Sequence, residues 1–381
     1  MTNLRITAGF LPLLDSLLLV VAREKRFAAS QGIDLTLLRE TSWANIRDRV
    51  AVGHFDVAHM LGPMPIAANL GLSPIDVPLV APMTLGLGGN AVTVSTGLWN
   101  RLLDAGAPGN LDPGPVGKAL RKVVTEGRSR LRFAVTHPYS GHNYELRYWL
   151  AASGIAPERD VDIAILPPPL MADALAADAV DGYCAGEPWN SVGVASGAGR
   201  IVTVKARIWA DSPDKVLGAS QRWALQNPEA LAALLRALYA ASVWCAEPAN
   251  HPEAAAILSA PAYLDRSSEL IVRGLSGRLD VARGESLRVP DFFEPHARSA
   301  TFPWITHALW YYSQMARWGD VRQTPQNARL VAATYRPDLY RAAIAPFGAA
   351  LPTTDRKVLG PEAFFDGVAF DPSTLDQPAS A

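Results

Sequence analysis

The chain has few covalent or electrostatic devices to lean on. Its 381 residues include two cysteines, Cys184 and Cys245, too few for a disulfide framework and without the CxxC spacing of a structural zinc site. Charge of one sign is also missing. Lys+Arg 35 against Asp+Glu 36 gives a formal net charge of -1, so no basic field holds nucleic acid through counterion release, and direct DNA or RNA binding is disfavoured. Charged residues are 19%, below the usual ~25%. Catalytic signatures are absent: no GxSxG, no GxGxxG after a strand, no P-loop and no HExxH occur. His54 and His59 have the wrong spacing for two ligands on one helix face, and His296 and His307 lie far apart in the helical tail. No metal site, cofactor or catalytic residue is therefore expected. No continuous apolar run reaches the ~20 residues that cross a bilayer, so no membrane association is expected.

What the chain does have is apolar material. Hydrophobic residues make up 49%, with Gly 29 and Pro 30 scattered rather than clustered, which excludes disorder, collagen and coiled coil. At roughly 150 residues per domain, the length suggests two domains or one bilobal unit. The N-terminus superficially resembles a signal peptide, with Arg5 before the apolar residues Leu17 to Ala22. Asp15 breaks the run, and Arg23-Glu24-Lys25-Arg26 separates it from the small residues Ala28-Ala29. The expectation is a cytoplasmic protein whose fold starts at once.

Strand and helix signals alternate. Leu4 to Ala8, Ile33 to Leu38, Phe55 to Met60 and Val77 onward read as strands. Leu13 to Ala28, Trp43 to Val52 (with Thr41 and Ser42 as capping candidates) and Pro63 to Leu70 read as helices. After a Gly/Pro/Asp-rich loop at Leu103 to Pro115, a second series runs through strands at Leu131 to Val135, Val161 to Leu166 and Gly182 to Ala185. Its helices are Gly141 to Ser153 and Pro169 to Ala177. Such alternation predicts parallel βαβ units. From Pro228 long amphipathic helices take over, including Glu229 to Cys245 and Ala300 to Trp318. The pattern is an α/β protein of two lobes plus a helical C-terminal part, and ligands in such sheets bind at the carboxyl ends of strands.

Three strand-to-helix turns there carry chemistry. Glu40-Thr41-Ser42-Trp43 sets an indole beside a helix start, either as core filler or as an aromatic wall with an N–H donor. Thr136-His137-Pro138-Tyr139-Ser140-Gly141-His142 opens a helix whose free N–H groups attract anions, with Gly141 permitting close approach and His142 able to donate. Gly186-Glu187-Pro188-Trp189-Asn190 is the third, following the second lobe's strand, and reads as a turn with a packed tryptophan. Lys215, in Asp211-Ser212-Pro213-Asp214-Lys215-Val216, is a lone lysine between acidic and apolar neighbours, by default a solvated one.

Thr41-Ser42-Trp43, Asp56-Val57-Ala58-His59-Met60-Leu61-Gly62-Pro63-Met64-Pro65, Arg147 to Ile155, Pro167-Pro168-Pro169, Gly186 to Asn190, Tyr312 to Gly319 and Phe365-Asp366-Gly367-Val368 together resemble the nitrate- and bicarbonate-binding proteins of bacterial ABC transporters. The resemblance spans the whole chain. It implies a type II periplasmic-binding-protein fold with the ligand cleft between two lobes and a helical C-terminal extension. Residues 1-95 and 218-381 would form lobe 1, and 96-217 lobe 2.

The first strand begins at Leu4, which resembles the cytoplasmic nitrate/nitrite sensors (NasS type) of nitrate assimilation. Such sensors hold an ANTAR-type RNA-binding antiterminator and release it when the anion binds. The resemblance implies nitrate or nitrite contacts at Trp43, Asn90 (where relatives often have glutamine), Gly141, His142 and Lys215, with His59 as a neighbour. Bicarbonate-type relatives carry an acid at the Lys215 position and hold calcium there, so a lysine favours nitrate or nitrite and no metal. Two rivals remain. One is the receptor of a nitrate ABC transporter. The other is an enzyme like the thiamine-pyrimidine synthase of the wider superfamily, which needs further histidines and a cysteine cluster.

Overall fold

The structure, a computed structural model, describes residues 4–376. Two five-stranded sheets carry the fold. The first runs in the order Ile33–Arg39, Leu4–Phe10, Val57–Leu61, Lys215–Ser220, Leu79–Thr84; the second in the order Gly199–Val204, Asn90–Ser95, Gly182–Gly186, Leu131–Val135, Val161–Ile165. The sequence pattern predicts parallel units, and four of the eight neighbouring strand pairs in these two sheets comply. One strand in each sheet does not: Lys215–Ser220 is antiparallel to both its neighbours, as is Asn90–Ser95. Each is the strand that arrives from the opposite lobe, so its direction is set by the crossover rather than by a βαβ connection.

Those crossovers move the lobe boundaries. Asn90–Ser95 belongs to the second sheet and the strand from Lys215 to the first, so the chain changes lobes at 85–89 and 205–214 rather than at 95/96 and 217/218. The C-terminal region also departs from a simple lobe 1 assignment. Helix Ile305–Arg317 packs on Pro63–Asn69 of the first lobe and on Gly141–Ala152 of the second, and the hairpin Arg278–Ala282/Glu285–Arg288 packs on the second sheet. Tyr148 Oη donates to Asp366 at 2.8 Å, and Trp209 stacks on Phe364 with centroids 5.6 Å apart. Trp304, Trp310 and Tyr311 are buried core residues.

The helices follow their local signals. Ser42, Ser95, Ser140 and Thr324 each accept a backbone N–H two or three positions into the helix that they open. The predicted helix over Leu13 to Ala28 is broken: Leu17–Glu24 ends and Arg26 takes a left-handed φ of 61° before a short turn at Phe27–Ser30. Pro228–Ala246 has the length and composition to cross a bilayer, although Glu229 and Arg236 interrupt its apolar residues. Here it packs against Leu17–Glu24 and Pro337–Ile344, with Leu231, Leu234, Leu235 and Leu238 buried.

Candidate functional site

Between the sheets, at the carboxyl ends of their parallel strands, lies a cluster of buried ionisable groups. Lys215 opens its strand opposite Leu61 and is 1% exposed. Its Nζ donates to Asp15 Oδ2 at 2.8 Å and to Asp214 Oδ2, and stands 5.4 Å over the Trp43 ring. Asp15 sits in the turn after the first strand. It accepts from His59 Nε2 at 2.9 Å through its other oxygen. Leu11 N faces His59 Nδ1 at 3.5 Å, so His59 is neutral with its hydrogen on Nε2. Burial pushes the Asp15 carboxyl up, but Lys215 and His59 outweigh it and hold the group below the usual carboxylate range. Burial likewise holds His59 below the ordinary imidazole value despite Asp15.

The second lobe supplies the rest. Ser140 caps helix Gly141–Ala152 by accepting Asn143 N at 3.0 Å, which brings Gly141 and His142 to the lobe boundary. An added Cβ on Gly141 would lie 2.7 Å from Asp214 Oδ1 and 3.1 Å from Tyr311 Oη, so only glycine leaves the chain this close to the cluster. His142 Nδ1 is 3.1 Å from the Thr136 hydroxyl, while Nε2 lies 3.7 Å from Asp214 Oδ2 and has no hydrogen-bond partner among the described residues. Burial, with Lys215 and Lys205 adding to it, holds this imidazole well below its ordinary value and so neutral. Asn90, at the start of its strand, is fully buried with neither amide atom partnered. It borders the cluster, because the position of a Gly186 Cβ is 3.2 Å from Asn90 Oδ1 and 3.7 Å from Asp15 Oδ2. Trp43 Nε1 is also buried and unpartnered.

A second ammonium, Lys205, pairs with Glu145 Oε1 at 2.7 Å, donates to the Pro213 carbonyl at 2.7 Å and reaches Asp214 Oδ1 at 3.4 Å. Burial pushes Glu145 up to about 7 against the pull of Lys205. Glu187, in the third turn, is likewise raised by burial to about 7, and its backbone ties the lobes as its carbonyl accepts Leu14 N at 2.8 Å.

The structure thus gathers Trp43, Asn90, Gly141, His142 and Lys215 around one buried point. His59 has a different job from the ligand neighbour anticipated, since both its ring nitrogens face partners and it braces Asp15. Lys215 is not solvated, nor is it a lone cation waiting for an anion: two carboxylates already share it. Four members of the cluster, Asp15, Asp214, Lys205 and Glu145, carry no signal in the expected contact set. Asp15 was visible only as an acid interrupting an apolar run. His296 pairs with Ser242, and His307 packs edge-on against Trp209, far from any shared ligand. Among the described residues, no group of three or more His, Cys, Asp or Glu is arranged to hold a metal ion.

Two mixed α/β sheets exchanging strands, with a buried polar cluster where they meet, define a two-lobed solute-binding protein of type II periplasmic-binding-protein fold. The comparisons give the family. The model of the NMT1-like family matches residues 2–259, and the chain belongs to that family, among solute-binding proteins of ABC transporters. It is 33% identical over 378 residues to the nitrate/nitrite binding protein NrtA of Synechococcus elongatus (strain ATCC 33912 / PCC 7942 / FACHB-805), covering 96% of this chain and 83% of that one. It is 36% identical over 327 residues to the bicarbonate transport ATP-binding protein CmpC of Synechocystis sp. (strain ATCC 27184 / PCC 6803 / Kazusa), covering 84% of this chain but 46% of that longer protein. The crystal structure of the periplasmic nitrate-binding protein NrtA from Synechocystis PCC 6803 superposes with a TM-score of 0.89 at 28% identity, covering 98% of this chain and 97% of that one.

Proposed function

We propose that the inter-lobe cluster binds a small monovalent oxyanion, nitrate or nitrite. The observation that carries this reading is that residues bordering the Lys215 cluster hold buried nitrogen atoms with nothing to bond: His142 Nε2, Asn90 Nδ2 and Trp43 Nε1. A buried polar group without a partner costs ~1–3 kcal/mol, and several of them around one ammonium suit a ligand with acceptors on several sides. Nitrate and nitrite present only acceptors, which suits an indole N–H, an amide N–H, an ammonium and an imidazole whose Nδ1 accepts from Thr136 and whose Nε2 carries the hydrogen. The names of the NrtA relatives point the same way. Lys215, where calcium binding would call for an acid, weighs against bicarbonate with calcium.

The finer role we propose is that of a cytoplasmic sensor, in which anion binding draws the lobes together and releases an ANTAR-type antiterminator. It rests on the sequence resemblance alone. The alternative is the receptor subunit of a nitrate ABC transporter. Calorimetric titration with nitrate, nitrite, bicarbonate plus calcium, and chloride tests the ligand. Heats from nitrate or nitrite at millimolar concentration or below are expected, and saturation with bicarbonate plus calcium alone would overturn the reading. Because a ligand selective for the folded state stabilises it by about 2.7 kcal/mol at a hundredfold excess over Kd, the melting temperature must rise in parallel. Fractionation of expressing cells, with co-purification of the antiterminator in the absence and presence of nitrate, separates sensor from receptor.

A further inference from the structure

The cluster contains no surplus positive charge. Its two ammoniums, Lys205 and Lys215, face three carboxylates, Asp15, Asp214 and Glu145, and every one of these side chains is buried. An incoming anion therefore finds both cations taken. The arrangement around Asp214 shows how the seat is filled. Its Oδ2 contacts Lys215 Nζ and stands 3.7 Å from His142 Nε2, so one carboxylate oxygen faces two groups of the proposed anion site. Its Oδ1 is 3.4 Å from Lys205 Nζ. That oxygen and Lys205 Nζ also lie 2.7 and 3.3 Å from a single point, the position of a Gly141 Cβ, which glycine leaves free. Asp214 sits at the end of the crossover between lobes, beside the Pro213 carbonyl that both Lys205 Nζ and Tyr311 Oη hold, at 2.7 and 2.6 Å.

We infer that the Asp214 carboxylate is an internal stand-in for the ligand: it occupies the Lys215–His142 seat, and the anion binds by displacing it toward Lys205. A carboxylate is a planar, singly charged group with acceptor oxygens, close in size to nitrite, so the same donors serve both. The displaced carboxylate keeps a counter-ion, because Lys205 already touches its other oxygen, and a rotation of the side chain carries it there without stranding a charge. Asp214 thereby sets the affinity of the site. It also couples occupancy to the segment joining the lobes. This inference rests on the anion reading above.

The test is calorimetry of the full chain with sodium nitrate and sodium nitrite, comparing wild type with Asp214→Asn, Asp214→Ser and Asp214→Glu. Removing the competing charge raises affinity at least tenfold in Asp214→Asn and Asp214→Ser, while Asp214→Glu, which retains the charge, stays within about threefold of wild type. Lys205→Met, which removes the parking cation, weakens binding at least tenfold. Equal or weaker binding by both neutral variants of Asp214 overturns the inference while leaving the anion reading intact if wild type binds. Absence of binding in wild type and in both neutral variants overturns both. Failure of both neutral variants to fold also overturns it, because a carboxylate that the ligand displaces is not one on which the fold depends.

Discussion

Lys215 joins two buried carboxylates, so its replacement by methionine tests the architecture of the cluster before any ligand is added. Lys215→Met leaves Asp15 with only the neutral His59 imidazole, and Asp214 with Lys205 at 3.4 Å. Breaking a buried ion pair by removing one partner costs ~3–5 kcal/mol. With 381 residues at ~2.1 cal/mol/K per residue, unfolding as one unit carries ~0.8 kcal/mol/K of entropy, so the melting temperature falls by about 4–6 °C. The pH dependence identifies the cause. In wild type Asp15 is held below its ordinary value, so between pH 5 and 7.5 it is ionised in both folded and unfolded states and contributes a constant amount. In the variant its folded pKa rises above the unfolded one, so only the folded state takes up the proton and the variant gains stability as pH falls. The gap between the two proteins must therefore narrow from pH 7.5 to pH 5, and adding Asp15→Asn to Lys215→Met must recover part of it at pH 7.5. Denaturant unfolding followed by fluorescence and circular dichroism measures the gap. A difference under about 1 kcal/mol at pH 7.5, or one that does not change with pH, would refute the account of Lys215 as a shared counter-ion.

Glu145, raised by burial to about 7 from an ordinary 4.5, binds a proton in the folded state over a range where the unfolded chain has released it. Its contribution to stability is thus greatest below the unfolded value and is lost as pH rises through the folded one. The stability of wild type minus that of Glu145→Gln falls by ~1.4 kcal/mol per unit between pH 5 and pH 7, read from urea midpoints, and a flat difference contradicts the assignment. Thr136→Val removes the hydroxyl that orients His142 Nδ1; nitrate or nitrite affinity drops about tenfold, the loss of ~1.4 kcal/mol, the melting temperature falls by about 1–4 °C as the buried Nδ1 loses its partner, and an unaltered titration shows that His142 needs no orientation. Ser140→Ala deletes the cap of the helix that carries Gly141 and His142 and costs ~1 kcal/mol in chemical denaturation, whereas no loss would mean that Ser140 does not anchor that helix.

Much of this architecture was legible in the sequence, for reasons visible in particular residues. Strands such as Leu131–Val135 announced themselves through β-branched and apolar runs bounded by turn signals, and the cap Ser42 through its place just ahead of helical spacing. Trp43, Gly141 and His142 were accessible because strand-to-helix turns in an α/β sheet face a cleft wherever the strands end. The crossovers were not legible. Whether Asn90–Ser95 extends the first sheet or opens the second depends on pairing with Gly182–Gly186, some 90 positions later, and no local pattern encodes such a partner.

The partners of Lys215 were hidden for a related reason, and this bears on how the site works. Asp15 and Lys215 are 200 positions apart and meet at 2.8 Å, while Asp214 is the adjacent residue and turns to the same ammonium. Sequence spacing marks both acids as polar interruptions next to apolar segments, the pattern of solvated turns. Burial reverses that meaning: a carboxylate with no access to water must be neutralised by a proton or a cation, so the acids and lysines of this cleft fix one another's charge state. The positive charge available to an anion is then a property of the whole group of five side chains rather than of Lys215. A cleft of this kind responds to its ligand by redistributing its own counter-ions. The place where that redistribution acts, the crossover 205–214, is also where the chain passes between the lobes, so local charge exchange and movement of the lobes share one segment.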